Sequence, residues 1–146
     1  MQKKYDFRQA EKEMQNFWKD NSIYSFDPES CSEIYSIDTP PPTVSGSLHI
    51  GHIFSYTQAE MIARFKRMQG YNVFYPFGFD DNGLPTERLV EKEEGITAKD
   101  FPRSEFVKKC MATTAKYEKE FKDLWQSLGF SVDWSLQYET INPMVQ

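Results

Sequence analysis

Apolar positions along the chain change period several times, and each change marks an element. In residues 6–20, DFRQAEKEMQNFWKD, the residues Phe7, Ala10, Met14, Phe17 and Trp18 recur at three or four. With Asp6 as a side-chain acceptor for the first free N–H groups, this spacing predicts an amphipathic helix. IYSFDPESCSE then carries turn formers, and EIYSID, β-branched and aromatic ahead of a proline run, predicts a short strand. From about Leu48 to Gln69 the residues Phe54, Met61, Ile62, Phe65 and Met68 return to helical spacing, with Gly70 placed to end the helix. YNVFYPFGFDDNG reads as a strand running into a loop, since Pro76 and two glycines do not sustain a central strand. A third helix is predicted over 102–128, with Phe106, Val107, Cys110, Met111, Thr114, Tyr117, Phe121, Leu124, Trp125 and Leu128 along one face. The tail GFSVDWSLQYETINPMVQ holds strand-like pieces without a closing element.

Strand, helix and strand in this order make a βαβ unit, which pairs its strands in parallel through a right-handed crossover. The expected class is therefore α/β, a parallel unit with flanking helices. Ligands of such sheets bind in the loops after the carboxyl ends of the strands. Both unusual segments of the sequence, PPPTVSGSLHIGH at 40–52 and GFDDNG at 78–83, fall there.

Composition narrows the partners. A chain of 146 residues with 39% hydrophobic content folds as one unit, because it has the apolar surface to offset ordering entropy. The formal charge of −5 is spread along the chain, which argues against tight nonspecific nucleic-acid binding by this chain alone. Cys31 and Cys110 have no motif spacing and read as free thiols in a reducing compartment. No apolar run approaches the roughly 18 residues of a membrane span, and the first residues lack the apolar stretch of a signal peptide. A cytoplasmic protein without a membrane partner is the expectation.

The 40–52 segment contains both histidines of the chain. A helix start presents unpaired N–H groups and the positive end of its dipole, which together attract phosphate. Gly46 and Gly51 remove Cβ atoms that would block a close approach, and His49 and His52, three apart, can both donate to one anion from the first turn. On the residues alone, a helix cap beside a surface histidine is an equally valid reading. A metal site is not expected, because no cysteine or third histidine lies at ligand spacing.

SGSLHIGH after a strand resembles the HIGH signature of the class I aminoacyl-tRNA synthetases. PPPTVSGSLHIGH with GFDDNGLPTERLVEK is similar to the valyl branch of that family, and the resemblance runs from FWKDNSIYSFDP to SVDWSLQYETINP. It implies the first part of a Rossmann-like catalytic domain over 31–146, preceded by a helical extension over 1–30. It implies ATP, delivered with Mg2+, as a substrate held by Gly46, His49, Gly51 and His52. The two histidines would stabilise the phosphorus centre while an amino-acid carboxylate attacks the α-phosphate. Pro40 and Pro41 would wall the side-chain pocket, Asp80 would pair with the substrate ammonium, and Thr43, where many valyl enzymes carry asparagine, would make a polar contact to the adenylate. By chemistry alone Asp81 competes for the role of Asp80, and the resemblance decides between them. Valine and tRNA(Val) are the implied partners of the complete enzyme. The second family signature, KMSKS, has no match in this sequence, so the C-terminal portion of such an enzyme is a further implied partner, and the chain is expected to be inactive alone.

Three alternatives remain open at this level. Isoleucyl enzymes carry strings that resemble GPPYANGxIHIGH and GWDCHGLPIE, and here the triple proline with TVSG favours the valyl branch. A small nucleotidyltransferase could use the same histidine loop on a metabolite. A non-catalytic domain could keep the fold for partner binding.

Overall fold

The computed structural model describes residues 5–46, 48–142 and 144; Ser47, within the histidine segment, lies outside the described residues. Helix α1 spans Phe7–Asp20, and Asp6 Oδ1 accepts from the N–H groups of Arg8 (3.1 Å) and Gln9 (3.2 Å) as its cap. Strand β1 is Ile34–Ser36, helix α2 Ile50–Met68, and strands β2 and β3 are Asn72–Phe74 and Gly78–Phe79. Helix α3 covers Leu84–Glu94, α4 covers Arg103–Ser127, and strand β4 is Tyr138–Glu139. The βαβ expectation holds: β1 and β2 are parallel, with Ile34 opposite Asn72 and Ser36 opposite Phe74.

The 72–80 segment is central. On one side it meets β1 and then, at an isolated parallel bridge, Thr43 opposite Asp80. On the other side β3 pairs in parallel with β4, Gly78 opposite Tyr138. Alternate carbonyls divide the work: Tyr75, Phe77 and Phe79 accept from the N–H groups of Asp133, Tyr138 and Thr140, while Phe74 accepts from Ile37 and Asp80 from Val44. The tail thus supplies a third parallel segment, correcting the expectation that it held no closing element. Its two-residue ladder is too short to mark itself by alternation.

Residues 73–79 also obey the period of a strand. Val73, Tyr75, Phe77 and Phe79 are all buried and pack with Tyr117, Phe121 and Trp125 of α4. Trp125 lies 5.1 Å from Tyr56, 5.9 Å from Phe77 and 4.9 Å from Phe130 between ring centroids, making it the hub of an aromatic core. The buried side of α4 is Phe106, Thr113, Thr114, Tyr117, Phe121 and Trp125. Val107, Met111 and Leu128 of the predicted face are exposed.

Helix α2 departs further from expectation. Its buried residues are Tyr56, Glu60 and Ala63, whereas Ile50, Phe54, Met61, Ile62, Phe65 and Met68 are exposed. The helix is present, but the apolar stripe that announced it is not the packed side. Glu60 is buried because it is satisfied: it accepts from Arg64 Nε (2.6 Å) and from the N–H of Ser131 (2.9 Å). Helix α3 had no sequence expectation, since few of its residues are apolar. Pro85 in its first turn and Gly95 in the left-handed conformation at its end (φ 66°) bound it.

Gly78 is required by the β3–β4 pair. A Cβ built there would lie 2.1 Å from Tyr138 Cζ, so any side chain must push the ring away. Gly78→Ala is expected to lower stability by about 1–3 kcal/mol through overpacking, and adding Tyr138→Ala to restore part of it, both read by urea unfolding. An unchanged midpoint in Gly78→Ala would mean that Tyr138 does not sit over β3.

Candidate active site

The histidine segment enters α2 as expected. His49 is its N-cap, extended at φ −121° and ψ 167°, and Nδ1 of its ring accepts from the N–H of Gly51 at 3.1 Å. His52 reaches back: its Nδ1 accepts from the N–H of His49 at 3.3 Å, completing a reciprocal capping box. The two rings lie 3.9 Å apart between centroids. Because each Nδ1 is an acceptor, each neutral ring carries its proton on Nε2. Burial and the neighbouring His49 hold His52 below the usual histidine value, which favours that neutral form. Capping and ligand donation are therefore compatible, one nitrogen serving each.

Gly51 has a local reason as well. A Cβ there would stand 2.9 Å from Cε1 and 3.0 Å from Nδ1 of His49, so a larger residue displaces the capping ring before any ligand is considered. Gly46, at φ 134°, has the conformation that favours glycine, and a Cβ on it would meet Leu89 of α3 at 3.9 Å. The loop is tied to α3 by Thr86 Oγ1, which donates to the carbonyl of Val44 at 3.2 Å.

The proline run sits at the end of the β1 side. Pro40 is exposed, Pro41 half-buried and Pro42 buried. The Tyr56 hydroxyl donates to the carbonyl of Pro40, and the N–H of Asp80 donates to the carbonyl of Pro42 at 3.0 Å. Thr43 and Asp80 are brought together twice, by the backbone bridge and by Thr43 Oγ1 donating to Asp80 Oδ2 at 3.3 Å. The other oxygen, Oδ1, accepts from Thr140 Oγ1 at 3.1 Å. Thr140 was not legible as a site residue, since it follows β4 some 60 positions away and the string that contains it carried no site assignment.

Burial separates the two aspartates. Asp80 is half-buried, whereas Asp81 is 3% exposed and beside Glu118 of α4. With both carboxyls ionised, Asp81 Oδ1 has no partner among the described residues. Burial, followed by the charge of Asp81 and a hydrogen bond to it, pushes the Glu118 carboxyl up to about 8, and Asp81 is raised chiefly by burial. Each carboxyl disfavours ionisation of the other, with Glu139 and Asp80 adding repulsion. Asp81 is thus committed to α4, and Asp80 is the more accessible carboxylate.

Elsewhere, a groove of about 630 Å3 between α1 and the end of α4 is lined by Trp18, Tyr24, Lys122 and Trp134. It shares no residue with the 40–52 segment or with Asp80, so its size does not make it the candidate site. Among the described residues no group of three or more His, Cys, Asp or Glu is arranged to hold a metal, and no helix is long and apolar enough to cross a membrane.

Residues 13–146 of the chain match a known family model, tRNA synthetases class I (I, L, M and V). The chain belongs to the class I tRNA synthetases. Within that family it is 56% identical over 143 residues to the valine--tRNA ligase of Rickettsia felis, covering 97% of this chain and 17% of that protein. The valine--tRNA ligase of Rickettsia prowazekii is also 56% identical, with 97% and 18% covered. Among solved structures, the LeuRS of Agrobacterium radiobacter K84, in a ternary complex with tRNA and LeuAMS, superposes with a TM-score of 0.82 at 27% identity, covering 97% of this chain and 16% of that one. The chain therefore spans about a sixth of the length of these class I relatives, and its parallel strands and helices are the first Rossmann-like portion of the synthetase fold.

The Glu118–Asp81 pair sets a pH dependence with a definite sign. Folded Glu118 binds its proton more tightly than the unfolded side chain, whose value is 4.5. Its contribution to stability is fully present below about pH 4.5 and is lost as pH rises through about 8. Urea unfolding at several pH values should show stability falling across that window, and Glu118→Gln, which cannot ionise, should flatten the fall. A slope unaltered by Glu118→Gln would assign the loss to another group.

Proposed function

We propose that this chain is the ATP-binding and amino-acid-binding first part of a cytoplasmic valine--tRNA ligase, which activates valine to valyl-adenylate and transfers it to tRNA(Val). The observation that carries the reading is the paired histidine cap, in which both Nδ1 atoms close the helix start and leave each Nε2 without a partner among the described residues. The valine assignment rests on the 56% identity to valine--tRNA ligases rather than on pocket geometry. It favours valine over isoleucine within the family.

ATP, carried with Mg2+, is a substrate in this reading. Its phosphates meet the start of α2, where free N–H groups, the helix dipole and two imidazole donors converge. Gly46 and Gly51 keep that approach open. The valine carboxylate attacks the α-phosphorus, pyrophosphate leaves, and no covalent bond to the protein forms. His49 and His52 donate to oxygens on which negative charge grows, so they act by stabilising charge already aligned. The Asp80 carboxylate takes the valine ammonium, and its place opposite Thr43 sets it next to the proline run. Pro40 and Pro41 present rigid apolar rings to the branched side chain. Thr43, whose hydroxyl is donated to Asp80, contributes to the amino-acid side of the site through that carboxylate. Residues 1–30 serve as a helical extension and 31–146 as the first part of the catalytic domain.

A chimera in which this chain replaces the matching 143 residues of the Rickettsia felis relative provides the test, read by ATP–pyrophosphate exchange with a panel of amino acids. Valine should support exchange in the chimera, and the chain alone should support none. Exchange driven by isoleucine or by no amino acid in the panel would overturn the valine reading. In the same chimera His52→Ala should lower kcat by about a hundredfold, as expected for loss of one charge-stabilising donor. The lost cap should cost only about 1 kcal/mol of stability. Unchanged turnover in His52→Ala would return the histidines to a purely capping role.

A further inference from the structure

We infer that Thr140 is a positioning residue for amino-acid binding: it fixes the orientation of the Asp80 carboxylate toward the substrate ammonium. The inference rests on the reading of Asp80 as the ammonium partner and adds a residue from the far end of the chain to that site.

The direction of its hydrogen bonds follows from the donors present. Thr140 Oγ1 lies 2.9 Å from the backbone N of Asp81, which can only donate, so the hydroxyl oxygen accepts there. The single hydroxyl proton is then free for Asp80 Oδ1 at 3.1 Å. Thr43 Oγ1 donates to Oδ2 at 3.3 Å, so the two oxygens of Asp80 are held from opposite flanking segments. A carboxylate gripped at both oxygens cannot rotate about its last bond without breaking one of these contacts.

Thr140 is itself immobilised. Its N–H donates to the carbonyl of Phe79 at 3.0 Å, extending the β3–β4 ladder, and its carbonyl accepts from Asn82 Nδ2 at 3.2 Å. The hydroxyl therefore reports the position of the backbone on both sides of Asp80. Each carboxylate oxygen has capacity for more than one donor, so an ammonium can be accepted without displacing either threonine.

The test uses the same chimera with Thr140→Val, which keeps the shape and removes the hydroxyl, and Thr140→Ser, which restores it. Thr140→Val should raise KM for valine by about tenfold, the order expected for one hydrogen bond to a charged group. KM for ATP should stay within about twofold and Thr140→Ser should recover most of the loss. In an Asp80→Asn background Thr140→Val should have no further effect on KM for valine, because it acts through that carboxylate. Equal rises in KM for valine and ATP, failure of a folded Thr140→Ser to recover, or full additivity with Asp80→Asn would overturn the inference. If Asp80→Asn itself leaves KM for valine unchanged, the reading of Asp80 fails. If Asp80→Asn raises it while Thr140→Val does not, only the role of Thr140 fails.

Discussion

Parallel pairing through a stretch interrupted by proline on both strands is the constraint on which this structure rests. Between Ser36 opposite Phe74 and Thr43 opposite Asp80, the first strand side advances seven residues (36 to 43) and the second six (74 to 80). The extra residue falls where Pro40, Pro41 and Pro42 run beside a segment containing Pro76. Proline has no N–H to donate, so a continuous ladder cannot form there and the two chains are free to part. What closes them again is two bonds, the Asp80 N–H to Pro42 and the Val44 N–H to Asp80, while the Tyr56 hydroxyl of α2 holds Pro40. The opening lies at the carboxyl ends of the strands, where a parallel sheet places its ligands.

The remaining layers follow from keeping that central segment in place. Its odd-numbered residues from 73 to 79 are driven into the aromatic core with Tyr117, Phe121 and Trp125, which orients the even-numbered ones, including Gly78 and Asp80, to the other side. Helix α2 is held from beneath by a polar clamp rather than by its apolar stripe: Glu60 ties to Ser131, and Arg67 Nη1 donates to Ser131 Oγ at 2.6 Å. The histidine cap at the other end of α2 is thereby set against the same framework.

Local signals were readable in proportion to how local their causes are. The Asp6 cap, the ends of α2 near Gly70 and the extent of α4 each depend on residues within a turn or two, and the sequence pattern located them. The side of α2 that packs does not follow its apolar spacing, because apolar content and burial part company there, with a glutamate inside and Phe54, Met61 and Phe65 outside. Helix α3 was unread because its first-turn proline and terminal glycine are weak marks beside so few apolar residues. For the site, the histidine segment and Asp80 were named from short strings, while the orientation of the Asp80 carboxylate depends on Thr140, which only pairing across the sheet brings near. Asp80 and Asp81 differ in their surroundings, since Asp81 is buried beside Glu118 while Asp80 is half-buried.

The sequence separations within the site also imply an order of assembly. Thr43 and Asp80 are 37 residues apart, and Asp80 and Thr140 are 60 apart. Closing the first loop costs less chain entropy than closing the second, and the β1–α2–β2 unit is already complete in sequence when Asp80 is reached. One flank of the carboxylate can therefore form early, during growth of the chain, while the other must wait until α4 has packed and the 133–140 segment can run alongside. Fixing of the Asp80 carboxylate is thus a late event in folding, and a chain arrested before that step would carry a correctly capped histidine helix and a carboxylate still free to turn.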